Sequence, residues 1–161
     1  MDILTWLTTT AIGEFCFTIL VSMIPVVELR GGIPFGVAAG LSVPAAYLAA
    51  VIGNLLPVPF IIVYIRRIFQ WMRSHLPNLD RMVDALERKA HLKGRVVSRY
   101  KYLGLILFVA IPLPGTGAWS GALIAAFLDT PLRRAVPAIA LGVLIAGILI
   151  STLTCGFVNI F

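Results

Sequence analysis

The chain has 161 residues, of which 60% are hydrophobic and only 12% charged, with a mean hydropathy of +0.99. A soluble domain of this size needs far more polar surface, so the composition places the chain in a bilayer. The net charge of +6 could suggest nucleic acid, but ten of the thirteen basic residues lie in one connecting segment, the mark of a cytoplasmic loop, and no nucleic-acid partner is expected.

The first fifteen residues carry Asp2 and Glu14 and no basic region, so no cleavable signal peptide is predicted. Two readings stay open for this end. Residues 1–13 lie along the outer interface, or residues 4–24 form an extra complete span with the N-terminus inside. Cys16 and Cys155 sit alone in apolar surroundings and read as small apolar fillers.

A broken element follows, centred on Pro25 to Pro34. It holds Glu28 and Arg30, the only charges between Glu14 and Arg66. A charge at the bilayer centre costs at least about 2.5–3.5 kcal/mol on insertion scales and marks a functional position. Two such residues beside Gly31 and Gly32, between two prolines, fit a non-helical segment lining a polar cavity. Glu28 could bind and release a proton or hold a cation. Arg30 could hold an anionic head group or lock Glu28. The alternative is a structural ion pair at the tip of a hairpin.

Residues 33–65 contain no charge, and about 20 apolar residues cross a core of roughly 30 Å. A span over residues 44–65 is predicted, opened by Pro44 with Ser42 as its cap. Asn54 falls near its middle, where a lone amide is costly; it is expected to hydrogen-bond a broken element or to touch substrate.

Residues 66–101 form a connector of net charge +7, with acids only at Asp80, Asp84 and Glu87, and are assigned to the cytoplasm. Leu79, Met82, Val83, Leu86 and Ala90 follow helical spacing, with Asn78 as a cap and Gly94 as a stop. An amphipathic helix on the membrane surface is expected there. His75 and His91 have no partner spacing for a metal and read as solvated.

A second broken element follows. Residues 102–111 and 118–128 are each half a bilayer long, at about 1.5 Å per residue. Between them Pro112, Pro114, Gly115 and Gly117 stop any helix. A re-entrant hairpin is predicted, with Gly115, Gly117 and the N-terminus of the second half-helix offering backbone donors to an anion or carbonyl. Thr116 adds a hydroxyl, and Trp119 either stacks on substrate or packs. A full span over residues 132–154 closes the chain.

The two halves match at an offset of 87 residues. Pro25 pairs with Pro112, Pro44 with Pro131, and Ser42 with Asp129, a second predicted cap. Arg133 and Arg134 place the exit of the second hairpin inside, while the turn at Ser42 carries no charge and should face out. The halves then have opposite orientation. The predicted fold is all-α: an inverted repeat of a re-entrant helical hairpin plus a transmembrane helix. The chain forms one membrane domain, 1–161, with a first repeat at 1–66, the connector at 67–101 and a second repeat at 102–161.

Three segments carry a resemblance: Ile24 to Pro34; Gly53, Asn54, Leu55, Leu56, Pro57, Val58 and Pro59; and Ala110 to Trp119 with Pro112, Leu113, Pro114, Gly115, Thr116 and Gly117. Together they resemble the small multidrug export family of prokaryotic membrane proteins, which is similar to the wider DedA (SNARE-associated) superfamily. The resemblance implies paired re-entrant hairpins, the plasma (inner) membrane, and movement of a carrier-lipid phosphate or lipid scrambling. The basic residues of DedA proteins around the second break are absent here, leaving Arg30 alone to meet a phosphate at depth.

The residues predict a secondary transporter with Glu28, Arg30, Asn54, Pro112, Pro114, Gly115, Thr116, Gly117 and Trp119 at its substrate site. The substrate is a lipophilic cation exchanged for protons, or an anionic carrier lipid. No nucleophile–base pair, carboxylate pair or metal cluster appears, so neither an enzyme nor a cofactor is expected. The chain is short for a complete pathway, which predicts a homodimer among membrane lipids. The competing reading is a non-transport scaffold or lipid-binding protein.

Overall fold

The computed structural model describes residues 10–75, 102–113, 115–128 and 130–160, and these contain helices and no strand. Seven helices follow in order: α1 Ala11–Ser22, α2 Glu28–Ala38, α3 Val43–Leu55, α4 Val58–His75, α5 Tyr102–Ala110, α6 Ala118–Phe127 and α7 Leu132–Ile160. Residues 1–9 and the predicted connector helix, with its Asn78 cap, Gly94 stop and His91, lie outside the described residues, as do Pro114 and Asp129.

Thr10 has extended dihedrals and its hydroxyl accepts from the Gly13 N–H at 3.1 Å, so α1 starts at Ala11. The break after it is narrow, Met23 to Val27. Pro34, expected to bound the break, sits inside α2. It removes the amide that would pair with the Arg30 carbonyl. Helix α2 survives because Leu29, Gly32, Ile33 and Gly36 are buried against α1 and α3.

Those contacts are close because the residues are small. A Cβ on Gly36 would lie 3.0 Å from that of Ala46 and against Thr18, and one on Gly32 would lie 3.5 Å from Ala50 and against Ser22. Thr18 and Ser22 are buried, yet each hydroxyl donates to its own helix, to the carbonyls of Glu14 and Thr18, both at 2.7 Å.

Ser42 occupies the N-cap position of α3 but makes no side-chain capping bond. The usual donors are the second and third helical amides, and the second belongs to Pro44, which has none. Pro57 and Pro59 interrupt the next turn without ending it. Leu56 keeps helical dihedrals and donates to Ile52 at 3.0 Å, and Ile61 donates to Pro57 at 2.9 Å. Val43–Ile65 is therefore one continuous apolar stretch of 23 residues, and Leu132–Gly156 another of 25. Each exceeds the roughly 20 residues needed to cross a bilayer. On the outer face of α7, Leu141, Ile145, Ile148, Leu149 and Leu153 are exposed, an apolar surface suited to lipid.

Helices α5 and α6 have only nine and ten residues. Tyr102, which opens α5, accepts a 2.7 Å hydrogen bond from Arg134 in the first turn of α7, and the guanidinium lies 5.6 Å from the ring centre. The α5–α6 pair therefore returns to the end from which it started. The α1–α2 pair does the same, because the Glu14 carboxylate lies beside Gly40. Gly142 of α7 packs on Val109 near the end of α5, whereas Pro34, Val37 and Ala38 of α2 share a crevice with Ile150, Leu153 and Thr154 further along α7.

Candidate functional site

The two breaks meet. Three hydrogen-bonding groups, all more than eighty residues apart in sequence from their partners, join the Met23–Val27 break and the start of α2 to residues 111–119.

The first is Glu28, 4% exposed. Its N–H donates to the Ile24 carbonyl at 2.9 Å, and its φ is +49°, a left-handed value uncommon for a residue with a side chain. That backbone turn directs the carboxylate at the N-terminus of α6. Oε1 accepts from the Trp119 N–H at 3.3 Å, and Oε2 lies 1.9 Å from where a Cβ on Gly117 would be. Gly117 caps α6 with φ +130°. Only glycine accepts both that dihedral and the carboxylate against its Cα. The helix N-terminus predicted to receive an anion is thus filled by the protein's own anion.

The second is Arg30. Its Nη1 donates to the Leu113 carbonyl, and its Nη2 to the Thr116 carbonyl at 2.7 Å and the Thr116 hydroxyl at 2.8 Å. Glu28 and Arg30 therefore both hold the second break, and together they clasp the two tips. Thr116 is the centre of that break. Its hydroxyl is 2.7 Å from the Ile111 carbonyl and 2.8 Å from that of Leu113, and it accepts from the Leu113 N–H at 3.1 Å. Pro112 is the middle of a tight turn closed by the Leu113 N–H on the Ile111 carbonyl at 2.8 Å. Gly115, with φ +81°, completes the reversal.

The third is Trp119. Its indole N–H donates to the Met23 carbonyl at 3.1 Å, and its ring packs against the core. Of the two predicted roles, this contact is the packing one.

Pro25, Val26, Glu28, Arg30, Gly115, Thr116 and Ser120 line a cavity of about 270 Å³. A second, larger crevice of about 500 Å³ runs between α2 and α7, and Arg30 borders both. Ser120 was not predicted, and neither were the carbonyls of Met23 and Leu113; Pro25 and Val26 were placed in the broken element but not among the site residues. Ser120 sits in the first turn of α6, and that position was its one available signal.

Asn54 stands apart from this cavity. It is 0% exposed, and neither its Nδ2 nor its Oδ1 has a hydrogen-bond partner. The predicted bond to a broken element is not made. An unpaired buried amide costs about 1–3 kcal/mol. Among the described residues no group of three His, Cys, Asp or Glu side chains could hold a metal.

A family model described as "Putative small multi-drug export protein" matches residues 28–149, from the charged tip of α2 to beyond the middle of α7. Comparison with curated proteins and with solved structures returned no match.

Proposed function

The chain belongs to the small multi-drug export family, whose name points to a transporter, and from that premise we propose a secondary transporter whose coupling group is Glu28. The observation that carries the reading is the seat of its carboxylate. A buried acid from the first half rests on the N-terminus of a short helix from the second half, at the wall of a polar cavity.

The balance of hydrogen bonds favours a cationic substrate. A carboxylate offers about four lone-pair sites. Among the described residues Glu28 receives one hydrogen bond, at 3.3 Å, and the attraction of the nearby Arg30, whereas Arg30 makes three hydrogen bonds. The under-served charge is the negative one. A lipophilic cation entering the cavity supplies the missing partner. A proton taken up by the carboxylate from the opposite side displaces that cation and loosens the hold on α6. The charge on Glu28 thereby controls its own hold on α6 while Arg30 keeps the two tips joined, and competition for one carboxylate is the requirement for exchange of one ligand against the other.

In the bilayer, α1–α2 and α5–α6 are two re-entrant hairpins of opposite orientation. The returning contacts Glu14–Gly40 and Tyr102–Arg134 support this, as does the packing of the two hairpins against different lengths of α7. Two copies side by side complete the pathway.

The test is reconstitution in liposomes with an imposed pH gradient and ethidium as the cation. Wild-type protein should move ethidium faster than empty vesicles. Glu28→Gln should fall to the empty-vesicle rate while keeping its helix content. Wild-type rates in that variant would remove Glu28 from the mechanism. A second reading, an anionic carrier lipid, draws on Arg30 bordering both the polar cavity and the apolar crevice. A fluorescent lipid phosphate in the same vesicles separates it from the first.

A further inference from the structure

Asn54 is fully buried with an unpaired amide, and the packing register shows what lies beside it. Helices α2 and α3 pair Gly36 with Ala46 and Gly32 with Ala50. Residue numbers fall on one helix as they rise on the other, so the helices are antiparallel and advance together one turn at a time. One further turn, four residues along each, brings Glu28 of α2 level with Asn54 of α3. The buried residues of α3 include Ala46, Ala50 and Asn54. Asn54 follows Ala46 and Ala50 along the helix with a drift of about 40° per step, which turns it from the α2 side towards the side where Tyr47 packs on Gly147 of α7.

We infer that Asn54 is a second berth for the Glu28 carboxylate, occupied when that side chain leaves the N-terminus of α6. The inference rests on the transport reading, in which Glu28 must be released. The present berth is one that can be left, because among the described residues it supplies one hydrogen bond, at 3.3 Å, and it holds Glu28 at φ +49°. Without another partner the departing carboxylate would enter an apolar layer of Ala50, Val51 and Val58, a costly move for a charge. Other groups nearby are engaged. Arg30 is held by the second break, and the Ser22 hydroxyl by Thr18. An amide serves either protonation state, since Nδ2 donates to a carboxylate and Oδ1 accepts from a protonated carboxyl. Asn54 is a positioning residue: it acts through Glu28 and need not touch the substrate.

Asn54→Leu keeps the branched heavy-atom shape, with a modest increase in volume, and removes the polarity. In proteoliposomes its maximal ethidium rate should fall about tenfold with the half-saturating concentration almost unchanged, the pattern of a group used only in passage. Its unfolding midpoint should not drop, because the amide is unpaired in the resting state. Asn54→Ser, which keeps a donor and an acceptor, should recover most of the rate. A wild-type rate in the Leu variant overturns the inference, and so do equal losses in both variants with lowered midpoints, which denote packing alone. A second measurement needs no transport. Gly117→Ala expels the carboxylate from α6, and in that background Asn54→Leu should change from neutral to destabilising. Additive midpoints in this cycle overturn the berth even where Glu28→Gln upholds the transport reading. The berth survives and the transport reading fails if the cycle is coupled but Glu28→Gln transports normally. Should Gly117→Ala not fold, the rates of the Leu and Ser variants decide.

Discussion

Thr116 has one hydroxyl hydrogen, and around it stand two carbonyls, an amide N–H and a guanidinium. Donating once and accepting from Leu113 and Arg30, it uses all its capacity. Thr116→Val keeps the shape and loses all of this; it should lower stability by roughly 1–2 kcal/mol in thermal unfolding, and Thr116→Ser should cost far less. Gly117→Ala is the harsher change, since it brings a Cβ against the Glu28 carboxylate at a dihedral that disfavours alanine. It should destabilise by about 1–3 kcal/mol and lower the ethidium rate together with stability. The sequence made Glu28 and Arg30 stand out as charges in apolar surroundings, and Thr116 and Gly117 as members of a cluster of helix breakers. It could not show that the acid caps α6 and the base binds carbonyls, because both contacts join residues more than eighty positions apart. Asn54 shows the opposite failure. The expectation that a buried amide finds a partner is sound on average, but here the register supplies one only if Glu28 moves.

The breaks at the scale of the helices were legible where two breakers coincide. Pro112, Gly115 and Gly117 leave no route for a helix, and α5 and α6 end and begin within a residue of the expected positions. Pro34 was misread because a single proline is decided by packing, and α2 is held from both sides. Glycine contacts give the test of that packing. A Cβ on Gly53 would lie 2.2 Å from the Ile19 carbonyl oxygen, backbone that cannot swing aside. Gly53→Ala should therefore push α1 from α3 and destabilise by about 1–3 kcal/mol. Gly156, also in a helix, has nothing within 4 Å of the same position. Gly156→Ala should be neutral or slightly stabilising through helix propensity. Equal effects at the two sites would mean that α1 and α3 do not pack this closely.

The arrangement of the whole molecule follows from where each hairpin has its base. Tyr102 on Arg134 puts the base of α5–α6 at the first turn of α7. The base of α1–α2 lies next to Gly40, and the last residues of α2 share a crevice with Leu153 and Thr154, about 20 residues further along α7 or roughly 30 Å at 1.5 Å per residue. That distance is close to a full hydrocarbon thickness. On the proposed reading the turns at Ser42 and Thr130 therefore face opposite sides, and the charges choose which. Arg133 and Arg134 beside Thr130 belong inside with the basic connector, while the Ser42 turn is uncharged. In a chain with Cys16 and Cys155 replaced, Ser42→Cys should react with an impermeant maleimide from outside intact cells. Thr130→Cys and Ser98→Cys, in the connector, should react only after the cells are opened. Labelling of Ser42 and Thr130 from the same side would mean that the hairpins enter together. Glu28 and the N-terminus of α6 would then no longer mark a point midway between two faces, and Glu28 could not pass a cation from one to the other.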